Sequence, residues 1–410
     1  MVVRSRAPDL HLHLQAPSPS PRSRTSDSRP LSQPGILHEY AERLVAFEYS
    51  GSSSGSHVKP HTLLFIGGLN DGLGTVSYVA DIVAALEETE WSLFSPILSS
   101  SYAGWGMGGL QQDVHEIAAC VEYIRGYKRE RRSASASDPG CCGPDSGPKT
   151  KIVVMGHSTG CQDVLQYISA PNPQDRYSES DTTAAPAQDR GVSVSAGITR
   201  PQVDGAIIQA PVSDREAIQW VLREGNKRHT AKQLQKVYSN AIEHAQKHTF
   251  EEYRSLDTVV PLLATASLGF PSSTPISSRR FLSLASPASP QDPGEDDLFS
   301  SDLTDDRLRD TFGAIHGRGA LRSKLLVLYS GRDETVPPWV DKVHLLRRWQ
   351  KATDAERGYW HDQSGVIPGA THTMAGPSQV EARRILIRKV MRFLQNIAGD
   401  RSPHSKGGQK

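Results

Sequence analysis

The sequence predicts an α/β protein with a mostly parallel central sheet, helices on both faces and a helical cap insertion. Three observations carry this reading. Short, continuously apolar runs alternate with longer amphipathic stretches, as strands buried on both faces and covering helices require. A Gly-rich pentapeptide, Gly156-His157-Ser158-Thr159-Gly160, sits between one such run and one such stretch. A polar, helix-rich segment then interrupts the alternation before it resumes. No internal repeat is visible.

In chain order, Leu44 to Tyr49 reads as a strand, and His61 to Ile66 as a buried strand ending in Gly67-Gly68. A helix follows from about Thr75 to Glu88, then a strand over Trp91 to Leu98. The next helix spans Gly109 to Glu130, with Val114, Ile117, Ala118, Val121 and Ile124 on one face. Lys151 to Gly156 (KIVVMG) is the most strand-like run of the chain, followed by a helix to about Ser169. Val203 to Val212 resumes the buried-strand texture. Helical stretches over 216–228 and 231–247 begin the cap, set at about 213–321. Lys324 to Ser330 is another buried strand, Trp339 to Lys351 a helix, Ser364 to Pro368 a short last strand, and Gln379 to Ile397 an amphipathic helix. Repeated βα units of this kind call for a parallel sheet. One domain is expected over 38–398. Tails at 1–37 and 399–410 and polar loops at about 131–150, 171–201 and 271–306 are rich in Ser, Pro, Gly and charge, and are expected to lie outside the core.

Bulk chemistry narrows the class. The 410 residues carry 46 basic and 45 acidic side chains, a net charge of +1. Such a balance supplies no field for nucleic acid or an anionic membrane, and a small-molecule partner fits better. Cys120, Cys141, Cys142 and Cys161 match neither a zinc site nor the framework of a small secreted domain, which favours a reducing compartment. No apolar run approaches membrane-spanning length. Arg4, Arg6, Arg22, Arg24 and Arg29 resemble the charge of an organelle transit peptide. Pro8, Pro17, Pro19, Pro21, Pro30 and Pro34 would break the helix such a peptide needs. A soluble, cytoplasmic protein is expected.

A serine hydroxyl is a poor nucleophile at neutral pH and needs exposure, a base and donors for the charge that develops. Strand, GxSxG, helix supplies the exposure, with Ser158 projecting above the sheet at a helix N-terminus. The pentapeptide alone could be a Gly-rich turn, and its setting between KIVVM and VLQYI gives it meaning. Asp333 follows the strand KLLVLYS, and His372 lies in PGATHT ahead of the last helix. Either alone would be a turn former or a solvated side chain. Together they reproduce the Ser, acid, His order of the α/β-hydrolase fold. His372 is the expected base and Asp333 its orienter, with Glu334 and Asp214 as competing acids. Asp214 also reads as an N-cap for the helix beginning near Glu216. The amides of Leu69 and Thr159 are the expected oxyanion donors. Tyr102 and Trp105, with Met107, lie in a Gly-rich loop at the ligand-binding end of a strand. They could line a substrate pocket or pack beneath the cap. No dinucleotide fingerprint follows a strand and no metal-ligand cluster is visible, so no cofactor and no metal are expected.

These residues resemble a family of fungal α/β-hydrolases that includes siderophore esterases. The resemblance rests on LLFIGGLNDGLGTVSYV from residue 63, SSSYAGWGMGGLQQDVHEI from 99, VVMGHSTGCQDVLQY from 153, IIQAPVSDRE from 207 and PGATHTM from 368. In GHSTGCQD, Gln162 and Asp163 stand where hydrolases commonly carry small or apolar residues. The resemblance implies intracellular hydrolysis of the ester bonds of fusarinine C or its triacetylated relative, with iron arriving as part of the substrate. It also implies Ser158, Asp333 and His372 as the catalytic set. Hydrolysis of another acyl ester or thioester, and a hydrolase-fold receptor without turnover, are the competing readings.

Overall fold

The apolar runs become one eight-stranded sheet in the computed structural model, which describes residues 32–50, 58–135, 149–171, 200–250, 257–356 and 358–399. The strands are β1 (Gly35–Ala41), β2 (Leu44–Tyr49), β3 (His61–Ile66), β4 (Trp91–Ile97), β5 (Ile152–His157), β6 (Val203–Gln209), β7 (Leu321–Ser330) and β8 (Gly365–Ile367). Their spatial order is β1-β2-β4-β3-β5-β6-β7-β8. The first two pairings in that order are antiparallel and the rest parallel. This is the α/β-hydrolase fold. The central strands β3, β5 and β6 are buried at every position, which is why they read as unbroken apolar runs rather than as alternation.

The helices are α1 (Val79–Leu86), α2 (Leu110–Ser135), α3 (Gly160–Ser169), α4 (Asp214–Glu224), α5 (Ala231–Lys247), α6 (Leu262–Ser267), α7 (Ser278–Ala285), α8 (Asp305–Leu308), α9 (Ile315–Arg318), α10 (Lys342–Thr353) and α11 (Val380–Gly399). One face of the sheet packs on α2, α3 and α10, through Ile117, Val121, Leu165 and Trp349 among others. The other face packs on α1 and α11 through Ile82, Leu386, Val390 and Phe393. A third cluster lies within the insertion between β6 and β7 and joins Ile218, Ala241, Phe270 and Phe281 to Trp105. Each such side chain contributes about 1.5–3 kcal/mol on burial.

Several expectations need correction. The folded domain begins before residue 38, because β1 starts at Gly35 and pairs with β2. The segment 271–306 is not a flexible polar excursion. It contains α7, and Leu298, Phe299 and Leu303 insert into the core beneath α10. Its polar residues satisfy one another: buried Arg280 pairs with buried Asp296, and Arg215 of α4 pairs with buried Asp297. Most of 1–37, 131–150 and 171–201, the 399–410 tail beyond Gly399, and Cys141 and Cys142 lie outside the described residues. Cys120 and Cys161 are buried free thiols.

Candidate active site

The β5–α3 connection explains why the pentapeptide carries its glycines. A Cβ on Gly156 would lie 2.2 Å from the Gly160 carbonyl oxygen, and one on Gly160 would lie 2.5 Å from that of Gly67. Only hydrogen fits at both places, so strand, turn and helix close on one another. Ser158 at the apex has φ +56°, a conformation that costs a non-glycine residue about 1–3 kcal/mol. Its amide donates to the Gln209 carbonyl at 3.1 Å, which ties the strained turn to β6.

His372 reaches this apex from the loop between β8 and α11. Its Nε2 lies 2.8 Å from Ser158 Oγ, and its Nδ1 lies 2.8 Å from Asp333 Oδ2. Burial alone would raise the Asp333 carboxyl, but the imidazole beside it and two donations from Thr335, from N at 3.0 Å and Oγ1 at 2.7 Å, hold it below its ordinary value. Asp333 is therefore an ionised acceptor, Nδ1 carries the proton, and the Nε2 lone pair accepts the Ser158 hydroxyl proton. Burial would push the His372 imidazole down, yet Asp333, with Glu334 and Asp71 farther off, holds it above its ordinary value.

The competing acids separate cleanly. Glu334 accepts the backbone amide of His372 at 2.9 Å, so it fixes the histidine loop, whereas Asp333 is the carboxylate bonded to the ring. Asp214 is not the helix cap, because Ser213 fills that position and accepts the Glu216 amide at 3.1 Å. Asp214 instead turns into the cavity that holds Ser158 and His372.

Beside Ser158 the β3–α1 turn approaches so closely that a Cβ on Gly68 would lie 2.6 Å from Ser158 Cβ. Asp71 holds this turn, accepting from Gly68 N at 2.9 Å and from Thr75 Oγ1 at 2.7 Å. Leu69 and Thr159 line the Ser158 cavity, and among the described residues neither amide has a protein acceptor. Behind the site, His157 Nδ1 lies 2.7 Å from Gln209 Oε1, which also accepts from Tyr78. Burial, and secondarily the nearby His372, push His157 down to about 4, so a neutral ring faces His372 at 5.1 Å between centroids.

Neither Tyr102 nor Trp105 lines the Ser158 cavity, but Trp105 lines the cavity that adjoins it. Tyr102 is 45% exposed, and its hydroxyl accepts the Leu73 amide at 3.0 Å. Trp105 is 2% exposed, packs on Phe270 of the cap and donates to Asn70 Oδ1 at 2.9 Å. Both brace the turn that carries Leu69. The residues that do line the Ser158 cavity include Asp214, already considered as a competing acid, and Val212, Ser213, Ala217, Thr335 and Thr373, which the motifs did not single out. Asp71 and Thr335 had a local signal, since each sits in a turn two or three residues from a group it bonds.

A family model described as a protein of unknown function, DUF1749, matches residues 27–395. The chain belongs to this family. Among relatives of the DUF1749 chain, an esterase of Emericella nidulans is 58% identical over 371 residues, covering 90% of this chain and 94% of the relative. The fusarinine C esterase sidJ of Aspergillus fumigatus is 49% identical over 366 residues, covering 89% and 96%. Among solved structures, the siderophore hydrolase EstB of Aspergillus fumigatus superposes with a TM-score of 0.74 at 46% identity, covering 90% of this chain and 99% of that one. Among the described residues no helix is long and apolar enough to cross a membrane, and no group of three His, Cys, Asp or Glu side chains is placed to hold a metal.

Proposed function

We propose that this DUF1749 protein is a serine esterase that hydrolyses ester bonds of fusarinine-type siderophores, releasing iron in the cytoplasm. The observation that carries the chemistry is the His372 bridge, 2.8 Å to Ser158 Oγ on one side and 2.8 Å to Asp333 on the other. The substrate class rests on similarity to proteins named fusarinine C esterase and siderophore hydrolase. The cytoplasmic assignment is supported by the buried, unpaired thiols of Cys120 and Cys161.

His372 Nε2 takes the Ser158 proton as Oγ attacks the ester carbonyl carbon. The carbonyl oxygen gains charge against the Leu69 and Thr159 amides. The tetrahedral intermediate collapses, the C–O bond to the alcohol breaks, and His372 gives its proton to the departing oxygen. Water, deprotonated by His372, attacks the acyl-enzyme, and collapse returns the proton to Ser158 and frees the acid. Iron is cargo of the substrate.

The test is hydrolysis of purified fusarinine C and triacetylfusarinine C, with and without iron, by wild type and Ser158→Ala, followed by mass spectrometry. Opening of the triester by wild type alone supports the assignment. Equal rates for the two proteins would remove Ser158 from the mechanism. Turnover of simple acyl esters with neither siderophore touched would point to a general carboxylesterase. Failure of Ser158 to react with a fluorophosphonate in folded protein would favour a receptor without turnover.

A further inference from the structure

A second cavity adjoins the Ser158 cavity, and Leu69, Asp71 and Thr159 line both. The dividing wall therefore carries the two proposed oxyanion donors. A substrate whose carbonyl oxygen rests on that wall has a place on its far side for one arm. Asp113, Asp163 and Arg280 line this second cavity.

Its charges do not balance within the protein. Arg280 Nη1 donates to both oxygens of Asp296, at 2.7 and 2.6 Å, and its Nε donates to the Trp105 carbonyl at 3.1 Å. Asp296 thus neutralises the guanidinium. Asp113 and Asp163 face each other within hydrogen-bond reach, Asp113 also accepts from the Ser100 hydroxyl, and Arg280 lies at longer range. They are 3% and 6% exposed, and Oδ1 of each lacks an N–H or O–H donor. Asp214, in the neighbouring cavity, has an Oδ2 in the same condition. Burial, the first cause in each case, together with the other carboxyls pushes Asp113 up to about 6 and Asp214 up to about 7, and raises Asp163 well above the carboxylate range. Buried carboxyls without donors cost stability.

We propose that the second cavity is a recognition site for a primary ammonium group on the ester substrate, with Asp163 and Asp113 as its specificity-determining carboxylates. This rests on Ser158 being the nucleophile. An ammonium is compact, brings three donors and carries a charge that favours the ionised form of both carboxyls. A carboxylate arm would be repelled by the same pair. A purely apolar arm would leave both oxygens unmet. Asp163 is also, with Gln162, one of the two residues that set GHSTGCQD apart from a plain GxSxG.

The test needs no turnover. The full chain carrying Ser158→Ala is titrated calorimetrically with methyl trans-4-(aminomethyl)cyclohexanecarboxylate and with its N-acetyl derivative, which keeps the ester and removes the charge. At least tenfold tighter binding of the amine, lost in Asp163→Asn and weakened in Asp113→Asn, is expected. Equal affinities, tighter binding of the acetylated ester, binding of neither, or a preference unchanged in both variants would overturn the proposal. Thermal melts establish that the variants fold, and the comparison of the two probes on the Ser158→Ala protein decides the matter even if neither does. Absence of ester hydrolysis by wild type would instead refute the nucleophile assignment, a separate result.

Discussion

Replacing Gly68 by alanine isolates how closely the β3–α1 turn must approach the nucleophile. The glycine does not hold a left-handed backbone conformation, so alanine is admissible there by φ and the effect is one of contact alone. The new methyl would begin 2.6 Å from Ser158 Cβ and 3.1 Å from Ser158 Oγ. Reaching the 3.4 Å at which ordinary contact starts requires a separation of about 0.8 Å between the turn and the elbow. The elbow cannot give, because Gly156 and Gly160 are already in contact with backbone oxygens. The turn must move, and it takes the Leu69 amide with it. A shift of about 1 Å in a reacting group costs on the order of a hundredfold in rate, and overpacking of this kind costs about 1–3 kcal/mol of stability. The assay is kcat/KM on an aryl ester beside the rate of fluorophosphonate labelling and the melting temperature. Gly68→Ala is expected to lower kcat/KM by about a hundredfold with KM little changed. A variant that folds and stays within threefold of wild type would refute the claim that this approach sets the oxyanion geometry.

Other outcomes follow from the same coordinates. Asp333→Asn should lower kcat by about ten-thousand-fold, since the ring loses its acceptor at Nδ1, whereas Glu334→Gln should cost only about tenfold because Glu334 holds backbone; steady-state kinetics separate them. The base works deprotonated and its value is raised, so kcat/KM should climb with pH through a midpoint above 6.5, and in Asp333→Asn, where burial is less opposed, the midpoint should fall. Lys128→Met should destabilise the fold by about 3 kcal/mol in urea denaturation, because buried Glu48 loses the ammonium it meets at 2.7 Å and keeps the longer contact with His38 at 3.2 Å.

The sequence disclosed most of what depends on local order. Unbroken apolar runs located β3, β5, β6 and β7, and the pentapeptide between β5 and α3 located Ser158. Asp333 and His372 were legible because the fold fixes their places at strand ends. What stayed hidden depends on partners far along the chain. Arg280, Asp296, Asp297 and Ser300 read as a solvated stretch, and are buried only because α4, Trp105 and one another satisfy them. Asp214 read as a cap because its neighbour Ser213 is an equally good capping residue. Tyr102 and Trp105 stood at the right end of a strand, yet their hydrogen bonds turn them toward Leu73 and Asn70, and no local pattern gives that direction. β1 was missed because its first residues alternate poorly and three of them are exposed at the sheet edge.

The joint between cap and sheet bears on how such enzymes can be recombined. Helix α4 starts five residues after β6, and its first turn is stitched onward: Arg215 to Asp297 and Asp302, and Glu216 to Ser301 and to Trp339 beside α10. The insertion is thus not a cassette with two clean ends. A chimera that exchanged only the helices α4 to α7 for those of a relative would leave Asp297, Ser301 and Trp339 facing strangers. Crossovers placed instead at the end of β6 and the start of β7 keep the Arg215 and Ser301 stitches inside one parent and leave the contacts of Trp339, Trp105 and Arg348 with the insertion to be matched between parents, which makes these two points the natural seams for shuffling specificity between members of the family.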